Sequence, residues 1–239
     1  MISKQSGFSA FSGQTDDHVV LLCKSTHLSD IHAGDHIALN TSILGDLQTL
    51  ADDCSSAGWP LGIASGYRSF ERQFTIWSEK ALGRRPVLDR NEREVRPGSL
   101  SANELLRTIL FWSAVPGASR HHWGTDFDIF PANLLGDRKL ALTRDEAFGI
   151  FGEFYDWLGR YLSQADCPFY RPFFGIDRHK GLALSEEPWH LSHRAASRQF
   201  IASYSLAALR KLWGQYDLPL LQEIDADITN IETAYLKVY

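Results

Sequence analysis

The chain has 239 residues, of which 44% are hydrophobic and 22% are charged, values that are ordinary for a globular protein with a sizeable core. The formal net charge of -5 argues against a nucleic-acid-binding protein, which would carry an excess of basic residues. No apolar run is long enough to span a bilayer, and the three cysteines form neither a Cys-x-x-Cys metal motif nor a disulfide framework.

The first 40 residues are mainly polar, and we interpret them as an N-terminal extension packed on or near the core. Their one short apolar run, residues 19–23, predicts an edge strand. The N-terminus lacks the basic and apolar regions of a secretory leader. We therefore expect a cytoplasmic protein, or a periplasmic or cell-wall protein that lacks its leader or is exported by a non-standard route. Four histidines in this segment do not have zinc-ligand spacing and are predicted to lie at the surface: His18, His27, His32 and His36.

Apolar residues recur at helical spacing over residues 43–57, and a buried strand is predicted at 61–65. Ser69 can cap a following helix that ends near Gly83. Residues 84–100 are polar and contain proline, which predicts an exposed loop.

Two capping-box patterns, in which Ser or Thr precedes Glu by three residues, predict helix starts at Ser101–Glu104 and Thr143–Glu146. The first helix is expected to run to about residue 113 and the second to about residue 163. Residues 164–185 predict a loop with a short strand. A further helix is predicted over 193–213, and a last helix after Pro219.

Two separated stretches contain the residues that suggest a reactive site. Residues 119–128 include His121 and Asp128, and residues 187–190 include Glu187 and His190. Two imidazoles and one carboxylate form a three-ligand zinc set that leaves a fourth position for water. Hydrophobic residues alternate over 125–130, so a strand there would place Asp126 on the same face as Asp128.

The pattern Ser-x-His-x-x-Gly-x-x-x-Asp from Ser119, followed by Glu-x-x-His from Glu187 with Trp before the last His, resembles the zinc D-alanyl-D-alanine carboxypeptidases of the VanY type. These enzymes belong with the D,D-dipeptidases and the hedgehog signalling domain to one fold group. Ser65-Gly66-Tyr67-Arg68-Ser69 is a third matching element, and the resemblance covers roughly residues 40–195. One departure is Asp126, where the family usually has a small residue.

The resemblance implies an α+β fold, in which a small, mainly antiparallel sheet carries a zinc site and helices surround it. The zinc peptidase core would span residues 41–195. Residues 196–239 would be a C-terminal helical extension of the same domain, which covers the sheet or forms a dimer surface.

The resemblance also implies a role for each site residue. One zinc ion per chain would be held by His121, Asp128 and His190. Glu187 would be the base that acts on the water, and Arg68 would polarise the scissile carbonyl group. Ser119 is a candidate substrate-binding residue that would donate a hydrogen bond to a terminal carboxylate. Gln73 and Tyr67 are further candidates, for which a purely structural role is the alternative.

Several neighbours compete for these roles. His122 and His193 are alternative metal ligands. We interpret them instead as packing residues, as residues outside the ligand set or as surface residues. Glu186 is the rival base. Asp126 would either orient a ligand histidine or pair with an arginine, and a fourth protein ligand there would close the open metal position.

The implied function is zinc-dependent hydrolysis of D-alanyl-D-alanine-type bonds in the stem peptides of peptidoglycan. Two alternatives use the same chemistry, a cell-wall endopeptidase and a D,D-dipeptidase. An alternative of another class is a catalytically silent, zinc-containing binding module, against which the presence of Glu187 and Arg68 argues. No nucleic-acid partner and no integral membrane segment are expected.

Overall fold

The computed structural model describes residues 4–22, 31–34, 36–175, 182 and 184–236. Cys23 and His27 lie outside the described residues. The described chain combines a small, mainly antiparallel sheet with surrounding helices, which confirms the predicted α+β class. In this part of the chain, no helix has the length and apolar character needed to cross a membrane.

Nine short strands form three sheets within the described residues. The strands are β1 (Val19–Leu21), β2 (His32–Ala33), β3 (Ala38–Asn40), β4 (Leu61–Ser65), β5 (Val87–Leu88), β6 (Glu94–Val95), β7 (Asp126–Pro131), β8 (Phe169–Tyr170) and β9 (His190–His193). The central sheet has the order β2-β4-β7-β9-β8. Only the pair β2 and β4 in it is parallel, and the other neighbours are antiparallel.

The helices pack around this sheet. They are α1 (Lys4–Phe11), α2 (Leu44–Ser56), α3 (Phe70–Ala81), α4 (Ala102–Leu110), α5 (Ala132–Leu135), α6 (Arg144–Phe148), α7 (Gly152–Leu162), α8 (Arg194–Ile201), α9 (Leu206–Trp213), α10 (Leu221–Ala226) and α11 (Ile228–Tyr235). Ser69 caps α3 by accepting a hydrogen bond from the Arg72 backbone N–H, and Ser101 and Glu104 form the complete capping box of α4.

The hydrophobic core consists of two clusters of buried residues. Phe127 and Ile129 belong to the first cluster, together with the apolar faces of α2 and α7. The second cluster contains Trp77, Trp123 and Trp213 and includes residues of the C-terminal helices. Because side chains alternate along a strand, Asp126 and Asp128 lie on the opposite face of β7 from Phe127 and Ile129.

Three of the predicted helices are each divided in two. The segment predicted as one helix over 144–163 breaks after α6 because Gly149 has non-helical backbone angles, φ -96° and ψ -106°. The 193–213 segment breaks between α8 and α9, where Ser205 is extended and caps α9. The last helix breaks between α10 and α11 at Asp227, with φ -106° and ψ 12°.

Two local predictions also need correction. Thr143 caps α6, but the Glu146 carboxylate accepts hydrogen bonds from the backbone N–H groups of Ala141 and Leu142, so the reciprocal half of the capping box is not formed. The predicted loop over 84–100 contains the β5–β6 hairpin. The Asp89 side chain supports its turn by accepting from two backbone N–H groups, which is typical of an Asx turn.

Candidate metal centre

The base of the site is formed by two paired strands, β7 and β9. Asp128 on β7 is the direct cross-strand partner of His190 on β9, and partners in an antiparallel pair present their side chains on the same face. The His190 Nδ1 atom therefore lies 3.1 Å from the Asp128 Oδ1 atom. This pairing brings together two residues that are 62 positions apart in the sequence.

A tight turn before β7 supplies the second imidazole. His121 lies on a 3-10 turn, Arg120–Trp123, which ends at Gly124 with φ +65°. A Cβ atom at Gly124 would lie 2.6 Å from the Val19 Cγ1 atom, so both the left-handed backbone and the close packing require glycine. The turn places the His121 Nε2 atom 3.5 Å from the Asp128 Oδ2 atom.

The three side chains form a group that fits a metal ion. One ligand atom from each of His121, Asp128 and His190 lies within 4.8 Å of the others, and all three residues are buried. The Nδ1 atom of His190 and the Oδ1 atom of Asp128 make no hydrogen bond with the described residues. Two imidazole nitrogens and one carboxylate suit a four-coordinate ion with one open position.

Each histidine is held by its other ring nitrogen. The Nδ1 atom of His121 lies 2.9 Å from the Gly66 carbonyl oxygen, and the Nε2 atom of His190 lies 3.2 Å from the Asp126 Oδ1 atom. Such contacts fix the ring orientation and leave the nitrogen that faces Asp128 free to bind a metal.

Asp126 combines both of the roles that the sequence left open. It contacts the candidate ligand His190, and it also forms a fully buried ion pair in which the Arg120 Nε atom donates to Asp126 Oδ1 at 2.7 Å. Thr125 donates to the other carboxylate oxygen at 2.8 Å, and Arg120 in turn donates to Ser192 at 2.7 Å. Burial raises the pKa of Asp126, but Arg120 and His190 outweigh burial and hold it at about 2.

The pKa values of His121 and His190 shift in opposite directions, although both rings are buried. Burial lowers the pKa of His121 to about 4, since the attraction of Asp128 only partly offsets it. Burial also lowers the pKa of His190, but the neighbouring carboxylates of Asp126 and Asp128 reverse the effect and raise it to about 9. A metal ion at the site would replace a proton on His190.

Glu187 lies beside the metal-ligand group because the chain turns immediately before β9. The His190 N–H donates to the Glu187 carbonyl oxygen at 3.2 Å across the turn, which brings both side chains to one side. The Glu187 Oε2 atom lies 3.6 Å from the His190 Nδ1 atom, and the Glu187 side chain is 21% exposed. Burial and the Asp128 charge outweigh the attraction of His190 and raise the pKa of Glu187 to about 7, a value that suits a general base near neutral pH.

Arg68 lies at the junction of β4 and α3 and lines the same cleft. Its Nη1 atom donates to the Gln73 Oε1 atom at 2.8 Å, and its Nη2 atom donates to Ser65 Oγ at 3.2 Å. Gln73 is itself fixed, because its amide donates to the Ala114 carbonyl oxygen at 2.7 Å. The guanidinium group is therefore oriented by neutral acceptors and keeps its charge available for the cleft.

The three candidate substrate-binding residues lie in different places. Ser119 lines the cleft, and although it occupies the cap position of the 3-10 turn, its hydroxyl makes no capping hydrogen bond. Gln73 is fully buried behind Arg68, and the Tyr67 hydroxyl donates to the Thr15 carbonyl oxygen at 3.2 Å. Neither Gln73 nor Tyr67 lines the cleft, since both use their polar groups within the protein.

The rival histidines also lie outside the metal-ligand group. His122 is fully buried, and its ring lies 2.6 Å from the Arg68 carbonyl oxygen and accepts from the Gly117 N–H. His193 caps α8 by accepting from the Ala196 N–H and contacts Asp46 at 2.8 Å. The His122 ring therefore packs in the interior and the His193 ring caps α8, and neither ring faces Asp128.

The cleft has a volume of about 200 Å³ and includes residues that the sequence motifs do not indicate, Trp112, Ser113, Leu142, Phe173 and Tyr235. Tyr235 lies on the last helix, and its hydroxyl donates to the Leu110 carbonyl oxygen. Its ring contacts Phe173, whose ring centroid lies 4.9 Å from that of His190. The periodicity of α11 predicted only that Tyr235 would belong to an apolar helix face.

Comparisons with known proteins identify the family of the chain. The model of the family described as VanY, D-alanyl-D-alanine carboxypeptidase, matches residues 36–196. An uncharacterised protein of Haemophilus influenzae is 32% identical over 102 residues, which are 41% of this chain and 75% of that protein.

Two solved structures also resemble the chain. The LD-carboxypeptidase LdcB has a TM-score of 0.52 at 18% identity, with 92% of this chain and 88% of that chain covered. A vancomycin-resistance D,D-pentapeptidase VanY in complex with Zn(II) has a TM-score of 0.47 at 22% identity, with 82% and 89% covered. The likeness to LdcB shows a shared fold.

Proposed function

Because the chain belongs to the VanY D-alanyl-D-alanine carboxypeptidase family, we propose that it is a zinc-dependent peptidase that removes the terminal residue from D-alanyl-D-alanine stem peptides of peptidoglycan. The observation that carries the proposal is the buried His121, Asp128 and His190 group in one cleft with Glu187 and Arg68. One zinc ion would be held by the first three residues. A silent binding module would have no use for a base and a guanidinium group in the same cleft.

The protein side chains supply the remaining chemistry. When bound, zinc lowers the pKa of water from about 16 to about 7 and polarises a carbonyl group. Glu187 accepts the proton of the attacking water at its carboxylate and passes it to the leaving amine. Arg68 donates to the oxygen that becomes negative as the peptide bond is attacked, and its fixed planar fork suits that role.

Ser119 offers a test of the carboxypeptidase assignment. Its hydroxyl would bind the terminal carboxylate, and hydrogen bonds to charged groups contribute about 1.5–3 kcal/mol. We expect Ser119→Ala to lower kcat/KM roughly tenfold to a hundredfold on a D-alanyl-D-alanine peptide with a free C-terminus. The measurement is steady-state hydrolysis by the zinc-loaded protein.

The matched control is the same peptide with an amidated C-terminus. Amidation should cost the wild-type protein a similar factor and should hardly affect Ser119→Ala, because a direct contact produces this non-additivity. Equal cleavage of free and amidated peptides by the wild-type protein would exclude a carboxypeptidase and favour an endopeptidase.

Asp126 should tune zinc binding through His190. Replacing carboxylates that orient metal-binding histidines typically weakens metal affinity about tenfold to a hundredfold, and we expect this loss for Asp126→Asn. Competition with a chromophoric chelator measures the affinity. The melting temperature of the metal-free variant separately reports the loss of the Arg120 ion pair, and an unchanged zinc affinity would exclude the orienting role.

A further inference from the structure

Lys80 places a cation next to one residue of the cleft wall, Ser113. It lies in the last turn of α3, is partly buried, and its Nζ atom donates to Ser113 Oγ at 2.5 Å. Ser113 lines the cleft. Among the described residues, no carboxylate lies within ion-pair distance of Lys80. The adjacent Glu79 pairs with Arg85 instead, at 3.0 Å.

The surroundings of Lys80 disfavour its charge in the absence of an anion. Burial lowers its pKa to about 8, the charges of Arg85 and Arg68 act in the same direction, and the Glu187 carboxylate only partly offsets them. An ammonium group has three donors, and the described residues engage one of them. A partly buried cation with spare donors is suited to bind an anionic group of a ligand.

The helix α3 separates Lys80 from the residue that orients Arg68. Gln73, which orients Arg68, lies seven residues before Lys80 on α3, and a helix rises about 1.5 Å per residue. Lys80 is therefore about 10 Å along the helix axis from the residue that supports Arg68. An extended peptide covers this distance in about three residues.

We propose that Lys80 and Ser113 form a subsite that binds a carboxylate of the peptide substrate. The inference rests on the proposed function, since it assigns the cleft to a peptide. The recognised group is a side-chain carboxylate, because Ser119 would bind the terminal carboxylate of the same peptide. The subsite would select acidic peptides over neutral ones of the same length.

Four versions of one tetrapeptide test the subsite. Each ends in D-alanyl-D-alanine, carries glutamate or glutamine at the third position from the end, and has a free or an amidated C-terminus. Calorimetric titration into the zinc-loaded Glu187→Gln protein measures binding without cleavage. We compare this parent with the same protein carrying Lys80→Met, which keeps the apolar stem, Lys80→Arg, which keeps the charge, or Lys211→Met, an exposed control.

We expect Lys80→Met to weaken binding roughly tenfold for peptides that carry the recognised carboxylate, but not for their amide counterparts. Lys80→Arg should restore most of the affinity, and Lys211→Met should match the parent. The glutamate–glutamine pair tests the side-chain carboxylate, and the free–amidated pair separates it from the terminal carboxylate that Ser119 would bind.

Two results would overturn the subsite while leaving the proposed function intact. One is unchanged binding of all four peptides by Lys80→Met, and the other is an equal loss for all four, which would reflect a structural role. A parent protein that binds none of the peptides would overturn the proposed function and the subsite together.

Discussion

We expect the Glu187→Gln variant to keep its fold and bind zinc, but to lose turnover by about a hundredfold to ten-thousandfold, the usual contribution of a positioned general base. Glutamine has nearly the same shape as glutamate, so it can occupy the same space beside His190. It cannot accept the proton of the attacking water. The measurement is kcat on a D-alanyl-D-alanine peptide, with zinc content and circular dichroism recorded on the same sample.

The neighbouring Glu186 provides a matched control. Its carboxylate lies 3.5 Å from the Arg144 guanidinium group, and it does not line the cleft. Glu186→Gln removes the same charge one residue earlier and should retain nearly normal kcat. Near-normal turnover by Glu187→Gln would exclude Glu187 as the base, and a comparable loss in Glu186→Gln would show that the effect is not specific to Glu187.

Local sequence signals predicted the elements around the site well. The strand predicted at 61–65 is β4, and the caps at Ser69 and Ser101 start α3 and α4 as expected. These signals work because a capping hydroxyl and the backbone groups that it satisfies lie within one turn of each other. Helix ends were less predictable, as the break at Gly149 shows, because the apolar pattern continues across the break.

Long-range contacts at the site were not predictable from spacing alone. The motif suggested the group of His121, Asp128 and His190 through a family resemblance, and the pairing of β7 with β9 explains physically how they meet. No local pattern indicates that Arg120 pairs with Asp126. The position of Tyr235 in the cleft similarly depends on how the last helix packs against distant segments.

The strongest effect on the metal should come from removing both histidine ligands. We expect the purified wild-type protein to hold about one zinc ion per chain, and His121→Ala combined with His190→Ala to hold none, because Asp128 alone would remain of the three ligands. Metal analysis after dialysis measures the content. His193→Ala is the control, since it removes a buried imidazole that caps α8 and lies outside the metal-ligand group.

Thermal unfolding separates loss of the ligands from loss of the fold. A ligand that binds only the folded protein stabilises it by about 4 kcal/mol at a thousand times its dissociation constant. Added zinc should therefore raise the melting temperature of the wild-type and His193→Ala proteins, but not that of the double variant. His193→Ala should melt somewhat earlier than wild type with or without zinc, because lost caps cost about 0.5–2 kcal/mol. Stoichiometric zinc in a folded double variant would place the metal elsewhere, and the mechanism assigned to Glu187 would then lose its basis.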